Sequence, residues 1–214
     1  MTSAATSAPG ATEDPGRRLS SEERRAQIIL AALTVFGSRG YEGATTDQVA
    51  RAAGVSQPYV VRLFGTKENL FLATIEFALS QSLSALRTAL AASDEGGENP
   101  MGKRVGEAYV DLIEIPGLHQ TLAHAFLLGG HPAIGPAARR AYLAMWRFVR
   151  DEMGLPPDSA REFVAQGMLI STMIGVRIVD DYGSDPEVAE LFQACFPNKL
   201  GHVLDVLPRG ERGL

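Results

Sequence analysis

The sequence predicts an all-α chain in which a small three-helix N-terminal unit precedes a larger helical body. Three observations predict it. Apolar residues recur at helical spacing along most of the 214 residues, strand signals are nearly absent after the N-terminal unit, and Gly and Pro fall between the periodic stretches. The length suits one or two domains and is enough to bury a full core.

Each element has a local cause. Ser20 and Glu23 form a capping-box signature for a first helix whose apolar face is Ile28, Ile29, Ala32, Leu33, Val35 and Phe36. Gly37 and Gly40 are expected to punctuate its end. Thr45 and Gln48 form a second capping box, and Val49, Ala50 and Ala53 supply the apolar face of a short helix. Gly54 follows, where a left-handed conformation ends a helix at little steric cost. Val55 plugs the angle, Ser56 is expected to cap a third helix, and Pro58 lies in its first turn. Val60 and Phe64, four apart, face inward together. Thr66 then caps a long helix over 66–92, with Leu70, Phe71, Ile75, Leu79, Leu83, Leu86 and Leu90 along its buried side. An acidic, Gly-containing loop is expected over 93–100. Further helices are expected over 101–115, 117–129, 136–153, 157–182 and 186–206, with a break at Pro197.

The stretch Thr45 to Lys67 carries the functional signal. Two short helices joined by a tight turn fit a helix-turn-helix entering a DNA major groove. Gln57, Pro58, Tyr59 and Arg62 point outward and offer an amide, an apolar edge, a phenol and a guanidinium to bases and phosphates. Lys67 and the free N–H groups of the helix it opens can meet a phosphate. A plain surface hairpin is the competing reading, and the flanks and charge weigh against it. Residues 17–67 carry an excess of four positive charges, whereas residues 68–214 carry an excess of seven negative ones, within a net charge of −5. A basic unit on an acidic body suits phosphate binding at one end.

These motifs resemble the tetracycline-repressor (TetR) family. They run in order from Phe36-Gly37-Ser38-Arg39-Gly40-Tyr41 through Ala44-Thr45-Thr46, Val49-Ala50, Ala53-Gly54-Val55-Ser56 and Phe64 to Thr66-Lys67-Glu68-Asn69-Leu70. The resemblance implies a three-helix DNA-binding domain over 19–66 and a C-terminal helical effector-binding and dimerisation domain over 67–214. It implies that Thr46 and the Lys67 region hold phosphates while Gln57, Pro58, Tyr59 and Arg62 read bases. Many members carry Tyr at the position of Val61 and Tyr or His at that of Leu63. Here both are apolar, so the phosphate grip is expected to be thinner, or to be supplied by Arg62, Arg51 and the Arg17-Arg18 tail; Thr45 is expected among the DNA-binding residues beside Thr46. The resemblance further implies a transcriptional regulator, usually a repressor, released from a pseudo-palindromic double-stranded operator by a small apolar or amphipathic effector.

In the body, Gly167, Ser171 and Gly175 line one face at four-residue spacing within the apolar stretch from Glu162 to Asp181. Packing within the chain is the plain explanation. The sharper expectation is a homodimer in which this helix and the last one, with Val188, Leu191, Phe192 and Cys195, pair with their symmetry mates. Candidate effector-pocket residues are Tyr109, Ile113, His124, Phe126, Leu127, Met145, Trp146, Phe163, Met168 and Met173. No metal-ligand spacing, nucleophile elbow, phosphate-cradling loop or redox pair accompanies the four histidines or the lone Cys195, so no cofactor, metal or catalytic residue is expected. An enzyme is therefore not expected. Residues 1–18 read as a disordered tail with no apolar signal core, no run is long enough to span a bilayer, and a cytoplasmic protein is the expectation. The alternative function is a helical ligand-binding or protein-interaction module that does not bind DNA.

Overall fold

The computed structural model describes residues 20–92 and 100–207, and all regular structure among them is helical. The expected disordered tail and the acidic segment 93–99 lie outside the described residues, as do Arg17 and Arg18. The helices are α1 (Ser21–Gly43), α2 (Thr46–Ala52), α3 (Gln57–Phe64), α4 (Lys67–Ala91), α5 (Pro100–Asp111), α6 (Leu118–Leu127), α7 (Ile134–Arg147), α8 (Pro157–Gly175), α9 (Pro186–Cys195) and α10 (Leu200–Val206). Short 3-10 turns follow α5 and α8, and α7 runs on into a π turn over Phe148–Glu152.

Both expected capping boxes form. Ser20 Oγ accepts from Glu23 N while Glu23 accepts from Ser20 N, and Thr45 and Gln48 repeat the exchange. Thr66 Oγ1 accepts from Asn69 N at 3.0 Å and opens α4. Ser56 behaves otherwise. It occupies the N-cap of α3 with extended backbone but makes no side-chain cap bond. α3 therefore relies on Pro58 in its first turn and on its buried Val60 and Phe64.

The glycines of α1 differ from expectation. Gly37 is not a stop: it is buried within the helix, where α1 crosses the start of α6. A Cβ at Gly37 would stand 2.7 Å from Gly117 Cα, so only glycine permits this approach. Gly40 does bend the helix, at φ 67°, and one further turn carries the chain to Gly43. The expected helix 157–182 ends at Gly175, after which Arg177 takes a left-handed conformation at φ 55°. The expected break at Pro197 appears as the gap between α9 and α10.

One apolar cluster runs from the N-terminal helices into the body. Phe36, Leu33, Val49, Val60, Leu70 and Phe71 join Leu118, Leu122, Ala125 and Ile134. α1 therefore packs on α2, α4 and α6 at once. A second cluster holds α8 to α9 and α10 through Ile170, Met173, Phe192, Phe196 and Val203. A third gathers Leu86, Val105, Phe148, Val149 and Ala160 around α4, α5 and the π turn. Arg87 of α4 clamps that turn with two hydrogen bonds to Glu152, at 2.7 and 2.8 Å. No helix among the described residues is long and apolar enough to cross a membrane.

Candidate nucleic-acid interface

The turn between α2 and α3 is held from three sides. Gly54 takes φ 63°, and Val55 N donates to Ala50 O at 3.0 Å. Gln27, far back on α1, donates its amide to the Ala53 carbonyl at 3.0 Å and pins the turn to the first helix. The guanidinium of Arg25 lies 4.5 Å over the Phe64 ring and ties α1 to the end of α3. No local pattern signals these two α1 contacts, because their partners lie 26 and 39 residues away in the sequence.

On this frame α3 exposes Pro58 and Arg62 and half-exposes Gln57 and Tyr59. The Gln57 amide donates to Thr46 Oγ1 at 3.3 Å, which orients it before any ligand arrives. The Arg62 guanidinium stacks over Tyr59, 4.8 Å from the ring centroid. Both arrangements restrict polar groups that would otherwise sample many rotamers. Thr45 is exposed and spends its oxygen as the α2 cap. Arg51 is exposed and pairs with Asp47 at 2.8 Å on the same helix, a surface pair weak enough to exchange for a phosphate. Val61 is also exposed, and Leu63 packs against the core.

Lys67 has more partners than its sequence position suggests. Its ammonium donates to the Tyr41 carbonyl at 3.0 Å and sits 4.5 Å over the Tyr41 ring. Tyr41 in turn touches Phe71 and stands edge-on to His131 at 5.5 Å. Burial, then the Glu68 and Glu42 carboxylates, hold the Tyr41 phenol above its ordinary range, so it stays neutral. Lys67 thus latches α4 to the end of α1 while keeping donors for a phosphate.

Residues 28–74 match the family described as bacterial regulatory proteins, tetR family. That stretch is similar to the DNA-binding part of TetR-family regulators. The chain is 36% identical over 99 residues to the HTH-type transcriptional activator FasR of Mycolicibacterium smegmatis, a stretch that covers 46% of this chain and 44% of that protein. It is 45% identical over 49 residues to the HTH-type transcriptional repressor AcnR of Corynebacterium glutamicum, covering 23% and 26%. These matches span less than half of either relative's length. Among solved structures, a TetR-family member from Streptomyces coelicolor superimposes with a TM-score of 0.57 at 21% identity, covering 87% of this chain and 99% of that one. A TetR-like regulator from Rhodococcus reaches 0.53 at 18% identity, covering 89% and 94%. At those identities the structures speak for the fold alone.

Behind the N-terminal helices the body holds a partly open cavity of about 100 Å³ between α5, α6, α7 and α8. Tyr109, Phe126, Met145, Phe163 and Met168, all pocket candidates from the sequence, line it together. The five other candidates lie elsewhere. Ile113 lines a separate groove beside α1, and His124 stands at the Gly40 bend. Trp146 packs against the third cluster, and Met173 is buried with Phe192 in the second. Leu127 is 84% exposed. Gly106, Tyr142, Gln166 and Gly167 line the cavity without having been expected there.

The small-residue face of α8 points into the chain. Gly167 faces the Tyr109 ring, and Ser171 Oγ lies 2.8 Å from Tyr109 OH and 3.3 Å from His119 Nδ1. Val188 and Phe192 are buried in their own chain, with Leu191 and Cys195 half-buried beside them. Gly167, Ser171, Val188 and Phe192 thus contribute to packing within the protomer, where α8 lies against α5 and α6. Gly175 alone of the stripe is exposed. The outward side of α8 instead carries Met168 and Leu169, with Val176 just past its end; they are 47%, 40% and 65% exposed. No group of three or more His, Cys, Asp or Glu is arranged to hold a metal among the described residues.

Proposed function

We propose that this chain is a sequence-specific DNA-binding transcriptional regulator that acts as a homodimer on a pseudo-palindromic operator and responds to a small-molecule effector. The observation that carries the reading is the α3 surface, where Gln57, Pro58, Tyr59 and Arg62 stand open on a braced helix-turn-helix, two of them already oriented by Thr46 and by ring stacking. Gln57 and Arg62 suit base edges, and Arg51, Thr46 and Lys67 suit the flanking phosphates. Residues 19–66 act as the reader and 67–214 as the effector and dimerisation body.

A reader of this kind needs a second copy about 34 Å away, or a multiple of that. The exposed Leu169 of α8 and Val176 just past its end, with Leu143 of α7, supply an apolar face for it. The relatives named above include one activator and one repressor. The output is set by where the operator lies relative to the promoter. Selection of bound duplexes from a random pool, followed by salt titration of the winners, tests the reading. A two-fold-related consensus whose affinity falls steeply with salt is expected. Absence of any enriched sequence at low ionic strength overturns it.

A further inference from the structure

A polar chain runs from the body cavity to the helix that α1 crosses. Tyr109 of α5 lines the cavity, and its hydroxyl lies 2.8 Å from Ser171 Oγ of α8. Ser171 Oγ lies 3.3 Å from Nδ1 of His119 on α6, and the His119 ring meets the Tyr109 ring edge-on at 4.8 Å. His119 is 2% exposed. Its neighbours along α6 grip α1 on both sides: Gly117 abuts Gly37, and Thr121 Oγ1 donates to the Leu33 carbonyl at 3.2 Å.

We propose that the cavity takes an uncharged, largely aromatic molecule bearing one hydroxyl or carbonyl, oriented by Tyr109, and that the Tyr109–Ser171–His119 chain carries its presence to the α1–α6 crossing. This rests on the effector part of the reading above and names its chemistry. The walls are Phe126, Tyr142, Met145, Phe163 and Met168, and the lining holds no carboxylate, ammonium or guanidinium. A charged ligand would lose its hydration there without a counter-charge, whereas an aromatic one gains stacking and sulfur contacts. The outer side is narrowed by Phe126 edge-on to Tyr142 at 5.6 Å, and by the Tyr142 hydroxyl on Met168 Sδ at 3.8 Å. Met168 and Tyr142 are half-exposed there and can swing aside to admit a ligand.

The chain can run in two directions. In one, Tyr109 donates to Ser171 and Ser171 to Nδ1, which leaves the phenol oxygen to accept from a ligand hydroxyl. In the other, Nδ1–H donates to Ser171 and Ser171 to Tyr109, which leaves the phenol to donate to a ligand carbonyl. Burial keeps the Tyr109 phenol and the His119 imidazole uncharged, which both directions require. A ligand selects one direction and so changes the hydrogen bonding of a ring wedged between the two points where α6 holds α1.

The full chain is titrated by calorimetry with 2-naphthol, naphthalene and 2-naphthoate. We expect 2-naphthol to bind about five- to tenfold tighter than naphthalene, and naphthoate to bind weakest. Tyr109→Phe should erase the preference for naphthol while still binding naphthalene, which also reports an intact cavity. Ser171→Ala should bind naphthol but lose at least half of its power to release a selected duplex. Equal or tighter binding of naphthoate, a naphthol preference retained by Tyr109→Phe, or no binding of any probe overturns the ligand class. Release by Ser171→Ala at the wild-type level overturns the relay. Duplex binding without ligand, measured on the same preparation, separates these failures from a failure of the DNA reading.

Discussion

Arg62 lies stacked on Tyr59, so its five donors point in a restricted direction before DNA is met. Arg62→Ala should cost about 1–3 kcal/mol at one base pair and little elsewhere. Tyr59→Ala should blur the same base pair, whereas Tyr59→Phe keeps the ring and should not. Binding to singly substituted operators checks this, and an equal loss on every sequence would make Arg62 a phosphate contact. His119 carries a pH prediction. Burial pushes it down to about 4 from 6.5, with the Tyr109 backbone opposing. Above pH 6.5 the folded and unfolded chains both hold it neutral. As the pH falls from 6.5 the unfolded chain takes up a proton and the folded one does not until about pH 4. Stability should therefore fall across that window by up to about 3 kcal/mol. Denaturant melts at several pH values should show this slope reduced in His119→Asn. The outward set Gln57, Pro58, Tyr59 and Arg62 was legible in the sequence, because Val60 and Phe64 fix which side of α3 is inside. The hold of Thr46 on Gln57 and of Tyr41 on Lys67 was not, because each joins residues whose distance only folding sets.

At the scale of elements, helix starts were legible and one helix interior was not. Ser20, Thr45, Thr66 and Asp185 cap as their chemistry requires, since capping acts within three residues. Gly37 reads locally as a stop, yet it sits in mid-helix because α6 passes within contact of it. Gly37→Ala should push α1 and α6 apart and cost about 1–3 kcal/mol, as overpacking does. Gly106→Ala, inside α5 with nothing within 4 Å of the added carbon, should instead stabilise by up to about 1 kcal/mol. Thermal melts of the two variants should move in opposite directions. The small stripe of α8 teaches the same lesson. Gly167 and Ser171 permit close approach, as their size predicts, but the approaching group is Tyr109 of the same chain.

Across the whole molecule, the core that joins α1 to α6 leaves the reader mechanically continuous with the body. A disturbance at α6 therefore has a path to the helix that carries Arg25 and Gln27, the two braces of the turn. The dimer prediction belongs at this scale. Leu169→Glu, on the exposed side of α8, should leave the protomer folded and shift it toward monomer, with operator affinity falling because one half-site is lost. Sedimentation at micromolar concentration checks it, and an unchanged dimer would place the interface elsewhere. What the sequence determined by itself is the helical class, the caps, the turn at Gly54 and the outward face of α3, because periodicity and capping are settled among neighbours along the chain. Tertiary structure alone decided which glycines mark crossings, which of the aromatic and methionine side chains share the cavity, and which face of α8 is left to solvent. Those depend on contacts between residues tens of positions apart, and their spacing in the chain carries no trace of them.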